Sequence, residues 1–467
     1  MIVPESGPAA SGCPSLLWAW PFVALLLCIA LFPLLRRTQH WWEHNRNKLV
    51  VALLLAAVTL VYYGFRGYGM TAHGSETHEV VAGWPTVQAV LHHAVIVEYF
   101  PFIVLLFSLY VIAGGLVVRG DIPATPLTNT TILAIGSVLA SAIGTTGASM
   151  VLIRLLLKTN AERKRKVHTV VFFIFLVANV GGLLLPTGDP PLFLGYLLGV
   201  DFLWTLGLWR EWLFMIAVLL AVYFVWDTWA YRHEAAADIE LDRTQVQPLR
   251  VAGLVNLLWL TGVVVAVGTL DPSKPFPGTQ WHAWPHLREG VQLLLVALSL
   301  LTTPRALRVE NQFNYVAIGE VACLFIGIFI TMQVPIEILQ IKGPTLGLTQ
   351  GWQFFWAAGV LSGVLDNAPT YVVYFATAGT LTPPGQELMH GVRTITGSIP
   401  IPLLIGISCG AVFMGANTYI GNGPNFMVKT IAEQAGVKMP SFFGYMLYSG
   451  LVLIPLFVLL TLVFFRA

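Results

Sequence analysis

The chain has 467 residues, of which 56% are hydrophobic and only 10% are charged, and its mean hydropathy is +0.75. Soluble domains carry about 25% charged residues, so this composition excludes a water-soluble globular protein. The net charge of +2 gives no basis for a nucleic acid or another polyanion as partner. The four cysteines have no metal-ligand spacing, which argues against a zinc site or a disulfide framework.

Long apolar stretches follow one another along the chain, and each approaches the roughly 20 residues needed to cross a lipid bilayer. They predict an all-α polytopic membrane protein. Two further stretches, 127–157 and 351–380, have polar residues at their centres and are predicted to be re-entrant hairpins. The expected spans are 16–35, 47–64, 95–118, 167–200, 209–230, 249–270, 287–303, 314–334, 399–428 and 441–465.

The distribution of basic residues predicts the orientation in a cell inner (plasma) membrane. With both hairpins re-entrant and both termini outside, most of the 25 Lys and Arg fall on the inner side, including Arg163–Lys166. His92 and His93 are then expected in an outer loop. Glu98 and Glu320 begin spans and are expected to be interfacial anchors.

Two internal correspondences predict a repeat. Gly144–Gly147 in the first half falls on Asp366–Pro369 in the second when the surrounding spans are aligned without a gap. Further along, Pro186–Phe193 falls on Tyr419–Phe426. Each half therefore contains a hairpin with a polar tip and a span broken by Gly and Pro. Because the two hairpins open to opposite sides, the halves form inverted repeats, whose broken helices are typical of the binding sites of secondary transporters.

The repeats predict four parts along the chain. The expected parts are N-terminal scaffold spans and an outer loop (1–94), the first inverted repeat (95–230, with hairpin 127–157 and broken helix 167–200), a connecting loop with linking spans (231–313), and the second inverted repeat (314–467, with hairpin 351–380 and broken helix 399–428).

Polar residues at the four breaks are the candidate binding residues, because irregular backbone at membrane depth must be buried in protein or line a wet cavity. Asp366 is the first candidate, since acids inside a membrane are usually functional; its structural alternative is a hydrogen bond at the hairpin tip. Asp189 can cap a half-helix, contact Na⁺, or do both. The uncharged oxygen donors that suit a hard cation are Thr145, Thr146, Thr187, Asn367, Asn417, Thr418, Asn422 and Asn425.

Several functions remain open at this point. The chain has no phosphate-binding Gly-Lys-Ser/Thr loop, no zinc-protease motif and no catalytic serine motif within its spans, so neither an enzyme nor a cofactor is expected. The leading prediction is sodium/proton exchange, in which Na⁺ and H⁺ compete for Asp366 with help from Asp189. The alternative is a sodium- or proton-coupled citrate or carboxylate symporter whose half-helix N-termini hold the anion. A channel or a non-transporting scaffold is a third class, which the paired breaks disfavour.

Three motifs resemble those of the ion transporter superfamily, over roughly residues 95–465. They are Ser362–Pro369 (Ser-Gly-Val-Leu-Asp-Asn-Ala-Pro), Gly188–Pro191 and Gly421–Asn425, and they are most similar to the NhaD-type sodium/proton antiporter and citrate-transporter branches. The Ser-Asn-Thr signature of the divalent anion symporters is missing from both hairpin tips, which disfavours a dicarboxylate. The resemblance implies a homodimer in which a moving part, carrying the hairpins and broken spans, shifts like an elevator against a scaffold.

Overall fold

The computed structural model describes residues 12–465, apart from residues 34, 36, 73–77, 383–387, 389–390 and 395–396. Arg36 and both chain ends, on which part of the predicted orientation depends, lie outside the described residues. Among the described residues, seven helices are long and apolar enough to cross a membrane, which confirms the helical, multi-pass class. These helices are Asn45–Phe65, Trp84–Ala113, Pro126–Ile143, Val167–Leu184, Trp204–Arg232, Val316–Leu346 and Phe442–Phe464, with shorter apolar helices at Leu16–Leu31, Val255–Thr269 and Ile401–Asn417.

The chain divides into two compact units. Unit 1 comprises Met1–Phe100, Gly319–Leu348 and Val372–Ile401, and unit 2 comprises Pro101–Ile318, Thr349–Tyr371 and Pro402–Ala467. All of the predicted polar breaks fall within unit 2.

Unit 1 corrects one expectation about the outer loop. The span that the sequence predicted to begin near residue 95 begins at Trp84 instead. Pro85 suits the first turn of this helix, and the following turns bury Val87 and Val90 against Tyr63. His92 and His93 therefore lie in a helix and not in a loop. The helices and the π-helix of unit 1 are Trp20–Leu31, Gln39–Trp42, Asn45–Phe65, Trp84–Leu91, His92–Tyr99 (π) and Gln333–Lys342; its short strands Met70–Ala72 and His78–Val80 pair, as do Gly391–Thr394 and Gly397–Pro400.

Unit 2 contains two polar tips, at each of which a pair of helices meets. The first helical pair, Pro126–Ile143 and Thr145–Thr159, is separated by Gly144 alone, whose φ of +81° favours glycine. The second helical pair, Gly351–Val364 and Asn367–Gly379, is separated by two residues. The helices thus break at the predicted tips, and re-entry into the membrane remains a prediction.

Two further segments of unit 2 are broken by irregular backbone. The first broken segment consists of Val167–Leu176, a 3-10 turn at Val180–Leu184 and the half-helix Pro190–Leu197. The second consists of Ile401–Met414, a 3-10 turn at Gly415–Asn417 and the half-helix Gly423–Gln434. Proline in the first turn of each half-helix fits the only part of a helix that needs no backbone donor.

The remaining elements connect these parts. The predicted connecting loop is partly ordered, since Gln247–Ala252 pairs antiparallel with Val117–Asp121. The other helices are Phe100–Ala113, Trp209–Arg232, Ala236–Thr244, Val255–Thr269, Leu287–Thr302, Arg305–Glu310, Val316–Thr331 and Phe442–Phe464.

Candidate functional site

Asp189 lies at the centre of a buried polar cluster in unit 2. Its side chain is 2% exposed. Oδ1 accepts hydrogen bonds from Thr145 Oγ1 at 3.1 Å and from Asn422 Nδ2 at 3.0 Å, and Oδ2 accepts one from Asn367 Nδ2 at 2.6 Å. The two helical pairs and the second broken segment therefore each contribute a neutral donor to this carboxylate.

The four residues of this cluster all stand at helix N-termini. Thr145 and Asn367 are the first residues of the second helix in each helical pair, and Asp189 and Asn422 are the N-caps of the two half-helices. The two N-caps have nearly the same backbone conformation, with φ, ψ of −143°, 143° and −152°, 139°. A helix N-terminus carries about half a positive charge, so four of them stabilise an anion here.

Glycines allow the backbone to approach this closely. A Cβ on Gly188 would collide with the Gly182 carbonyl, and a Cβ on Gly421 would collide with the Gly415 carbonyl, so both broken segments make the same close turn. A Cβ on Gly182 itself would lie 2.8 Å from Thr145 Cγ2. These positions therefore need glycine for the cluster to assemble.

Asn179 belongs to the cluster although the sequence analysis did not select it. Its Nδ2 donates to Asn425 Oδ1 at 2.7 Å, and its Oδ1 accepts from Asn422 Nδ2 at 3.3 Å. The available sequence signal was a single amide within the otherwise apolar run 170–185, and the structure buries it fully. Asn179 connects the first broken segment to the second.

Asp366, the first sequence candidate, makes capping hydrogen bonds at its hairpin tip in this structure. Its Oδ1 accepts the backbone N–H of Ala368 at 3.1 Å, and its carbonyl accepts Thr370 Oγ1 at 3.0 Å. This is the structural alternative raised by the sequence, a cap at the hairpin tip. Asp366 is half-buried and is not one of the partners of Asp189.

Three other predicted residues hold the turns in place. Thr187 Oγ1 donates to two carbonyls at the end of the helix Pro126–Ile143, at 3.3 and 3.2 Å. Thr418 Oγ1 accepts two backbone N–H groups of its own turn, at 3.2 and 3.1 Å. Asn425 Nδ2 donates to two carbonyls of the second broken segment, each at 2.9 Å. Thr146 is half-buried beside Thr145 and is not a donor to Asp189.

Two amide oxygens in this region are buried and unused. Asn367 Oδ1 and Asn417 Oδ1 have no hydrogen-bond partner among the described residues. A buried acceptor without a partner is unfavourable by about 1–3 kcal/mol, and amide oxygens are suitable ligands for a hard cation. In the described part of the chain, no group of three His, Cys, Asp or Glu could hold a metal ion, so a transition-metal centre is not indicated.

Comparison with known proteins identifies the family. A family model described as "Putative citrate transport" matches residues 12–465, nearly the whole chain. A search of curated proteins finds no match. The match agrees with the resemblance carried by the hairpin tips and broken segments, and the chain belongs to this citrate-transport family.

Proposed function

We propose that the protein is a secondary transporter that couples the movement of a carboxylate such as citrate to Na⁺, and that Asp189 holds the Na⁺. The observation that carries the proposal is a fully buried carboxylate whose three hydrogen-bond donors, among the described residues, are all neutral. A buried charge is stable when a counter-charge balances it, and here that balance is left to helix dipoles and amides. Such a carboxylate is suited to bind and release a cation.

The amide groups around Asp189 can contact it both with and without a bound Na⁺. In this structure, Asn367 and Asn422 direct NH₂ groups at the carboxylate. Rotation of an amide by half a turn presents its carbonyl oxygen instead. Na⁺ between Asp189 and Asn367 would then use Asn367 Oδ1, which has no other partner among the described residues. Oxygen ligands of this kind fit Na⁺ as a hard cation.

The four helix N-termini supply the attraction for an anion. While Asp189 is unpaired, its negative charge offsets their partial positive charges. Once Na⁺ neutralises Asp189, the same N-termini favour a second, substrate carboxylate. Binding of the cation therefore promotes binding of the anion, which is the requirement for symport, and the family match supports citrate as the substrate class.

The matched geometry also supports inverted repeats. Thr145 and Asn367, which the first internal correspondence aligns, occupy equivalent helix starts. Asp189 and Asn422, which the second aligns, occupy equivalent N-caps. In this proposal the repeats lie in a cell inner membrane with re-entrant hairpins, and homodimers move the site by an elevator-like shift.

Sodium/proton antiport is the second candidate. The observation in its favour is that two acids, Asp189 and Asp366, lie at neighbouring breaks of one unit. A proton on Asp189 could replace Na⁺ in the return step, so that no carboxylate would need to travel.

Purified protein in liposomes that contain a pH-sensitive dye distinguishes the two. Under symport, Na⁺ drives uptake of labelled citrate, and Na⁺ alone leaves the internal pH unchanged. Under antiport, Na⁺ alone changes the internal pH. Absence of both responses in folded wild-type protein, with Li⁺, K⁺ and other carboxylates also tried, contradicts the proposal.

A further inference from the structure

Unit 1 contains a buried carboxylate that the Asp189 site does not use. Glu98 is 6% exposed and lies near the middle of the candidate span Trp84–Ala113. The sequence analysis placed Glu98 at the start of a span, but the helical region already begins at Trp84. An ionisable side chain deep in a membrane span is unfavourable and is usually retained for a function.

A π-helix creates the environment of Glu98. Residues His92–Tyr99 adopt this form, in which backbone hydrogen bonds join residues five apart. In an α-helix of 3.6 residues per turn, residues five apart point about 140° away from each other. The π-helix instead brings His93 and Glu98 to one face, with Nε2 and Oε1 3.5 Å apart. Such segments occur often at functional sites.

A neutral side chain orients the other carboxylate oxygen. Gln333 Nε2 donates to Glu98 Oε2 at 2.9 Å and is itself buried. The His93 side chain is 36% exposed, and the exposed His92 precedes it. An imidazole nitrogen is a poor ligand for Na⁺, which prefers oxygen, but it binds a proton near neutral pH.

The other acids of the neighbouring helices are paired with basic residues. Glu337, on the helix that carries Gln333, accepts two hydrogen bonds from Arg66, at 2.9 and 2.7 Å. Glu320 pairs with Lys48 at 2.7 Å. Arg66 and Lys48 are thereby engaged elsewhere, which leaves a histidine as the basic partner of Glu98.

We propose that Glu98 and His93 form a proton-binding site in unit 1, in which His93 takes up the proton and Glu98 stores it. In the transfer, the N–H bond at Nε2 of the imidazolium breaks and an O–H bond forms at Oε1. Neutral imidazole and a neutral carboxylic acid remain. A small rotation of the ring, or one water molecule, closes the 3.5 Å gap.

Infrared spectroscopy of the purified full-length protein in lipid tests this site without any transported substrate. The pH is titrated, and the carbonyl band of protonated carboxylic acids is followed. We expect a titrating component that is lost in Glu98→Gln, which keeps the size and a hydrogen-bond acceptor for Gln333. Glu320→Gln is the matched control, because Glu320 is 42% exposed and paired with lysine, and it leaves that component in place.

A second variant keeps the test decisive if Glu98→Gln does not fold. His93→Gln retains Glu98 and removes the titrating ring, so we expect the midpoint of the band to move. An unchanged band in folded Glu98→Gln, or an unchanged midpoint in His93→Gln, overturns the proposal. Neither result depends on citrate or Na⁺ transport, so this site and the proposed function can fail separately.

Discussion

Asp227 and Asp189, both buried in unit 2, have different kinds of partner. Asp227 is fully buried and pairs with Arg163, at 2.6 and 3.0 Å, and with His168 at 2.8 Å, while Asn129 donates to it at 3.2 Å. Asp189 is 2% exposed and meets neutral donors at each of its described hydrogen bonds.

The difference distinguishes a buried carboxylate that stabilises the fold through an ion pair from one that has no full counter-charge and is proposed to bind a cation. A carboxylate beside a buried arginine has a permanent counter-charge, so a further cation gains little there. Arg163, predicted from sequence to determine topology, also holds the base of the first helical pair through this ion pair. In the proposed function, Asp189, whose counter-charge is only partial, keeps an affinity for a mobile cation.

The largest effect is expected from Asp227→Asn. This change leaves the Arg163 guanidinium buried without its carboxylate, which should reduce the free energy of unfolding by about 3–5 kcal/mol. Thermal unfolding in detergent measures it. Glu310→Gln is the control, because the Glu310–Arg119 pair is exposed and its loss should change stability little. Equal melting temperatures for Asp227→Asn and wild type would show that the ion pair is not structural.

Asp189→Asn should separate transport from stability. The new amide retains one acceptor oxygen, so we expect a smaller loss of stability, about 1–3 kcal/mol, from the remaining mismatch with neighbouring donors. Transport in proteoliposomes should fall to the level of empty liposomes, because the charge that binds Na⁺ is gone. Retained Na⁺-dependent transport in this variant would exclude Asp189 as the coupling residue.

Asn367→Ala should weaken Na⁺ binding about tenfold. It removes a donor to Asp189 together with the unpartnered Oδ1, and a loss of about 1.4 kcal/mol corresponds to a factor of ten. The Na⁺ concentration that gives half-maximal transport measures the effect. Asn129→Ala removes the equivalent amide donor from Asp227 and should leave this concentration unchanged in the folded protein.

The smallest expected effect is on apparent Na⁺ affinity and comes from Thr145→Val, with the neighbouring Thr146→Val as control. Thr145→Val removes one neutral hydroxyl donor to Asp189, worth about 0.5–1.5 kcal/mol, so apparent Na⁺ affinity should change by a few-fold. Thr146→Val leaves the bonds of Asp189 intact and should behave as wild type. The same Na⁺ titration tests both, and equal effects would contradict the assignment of Thr145 as the closer residue.

Sequence periodicity and composition were sufficient to predict the multi-pass helical class, because a long apolar segment in a membrane must satisfy its own backbone hydrogen bonds and does so as a helix. The polar breaks were also predictable, because Gly, Pro and Asp interrupt these runs at Gly144 and at Asp189. The sequence did not rank Asp189 above Asp366. The preference for Asp189 in the proposed function depends on hydrogen bonds between residues far apart along the chain, such as the one from Asn367 to Asp189.

Unit 1 shows a second limit of sequence reasoning. The start of the helix at Trp84 was missed because 65–94 has the polar and Gly/Pro composition of a loop, while tertiary packing of Val87 and Val90 stabilises a helix there. The π-helix that places His93 beside Glu98 was also missed, because eight residues are too few to show a separate period in the pattern of residues.

Stabilisation by Na⁺ tests the central claim most directly. A ligand that binds only the folded state raises stability by RT ln(1 + [L]/Kd), about 2.7 kcal/mol at a concentration 100 times Kd. Thermal unfolding is measured in increasing NaCl, with KCl added to hold the ionic strength constant. The account predicts that Na⁺ raises the melting temperature of wild-type protein and has no effect on Asp189→Asn. An equal rise in both proteins, or no rise in wild type, would contradict Na⁺ binding at Asp189.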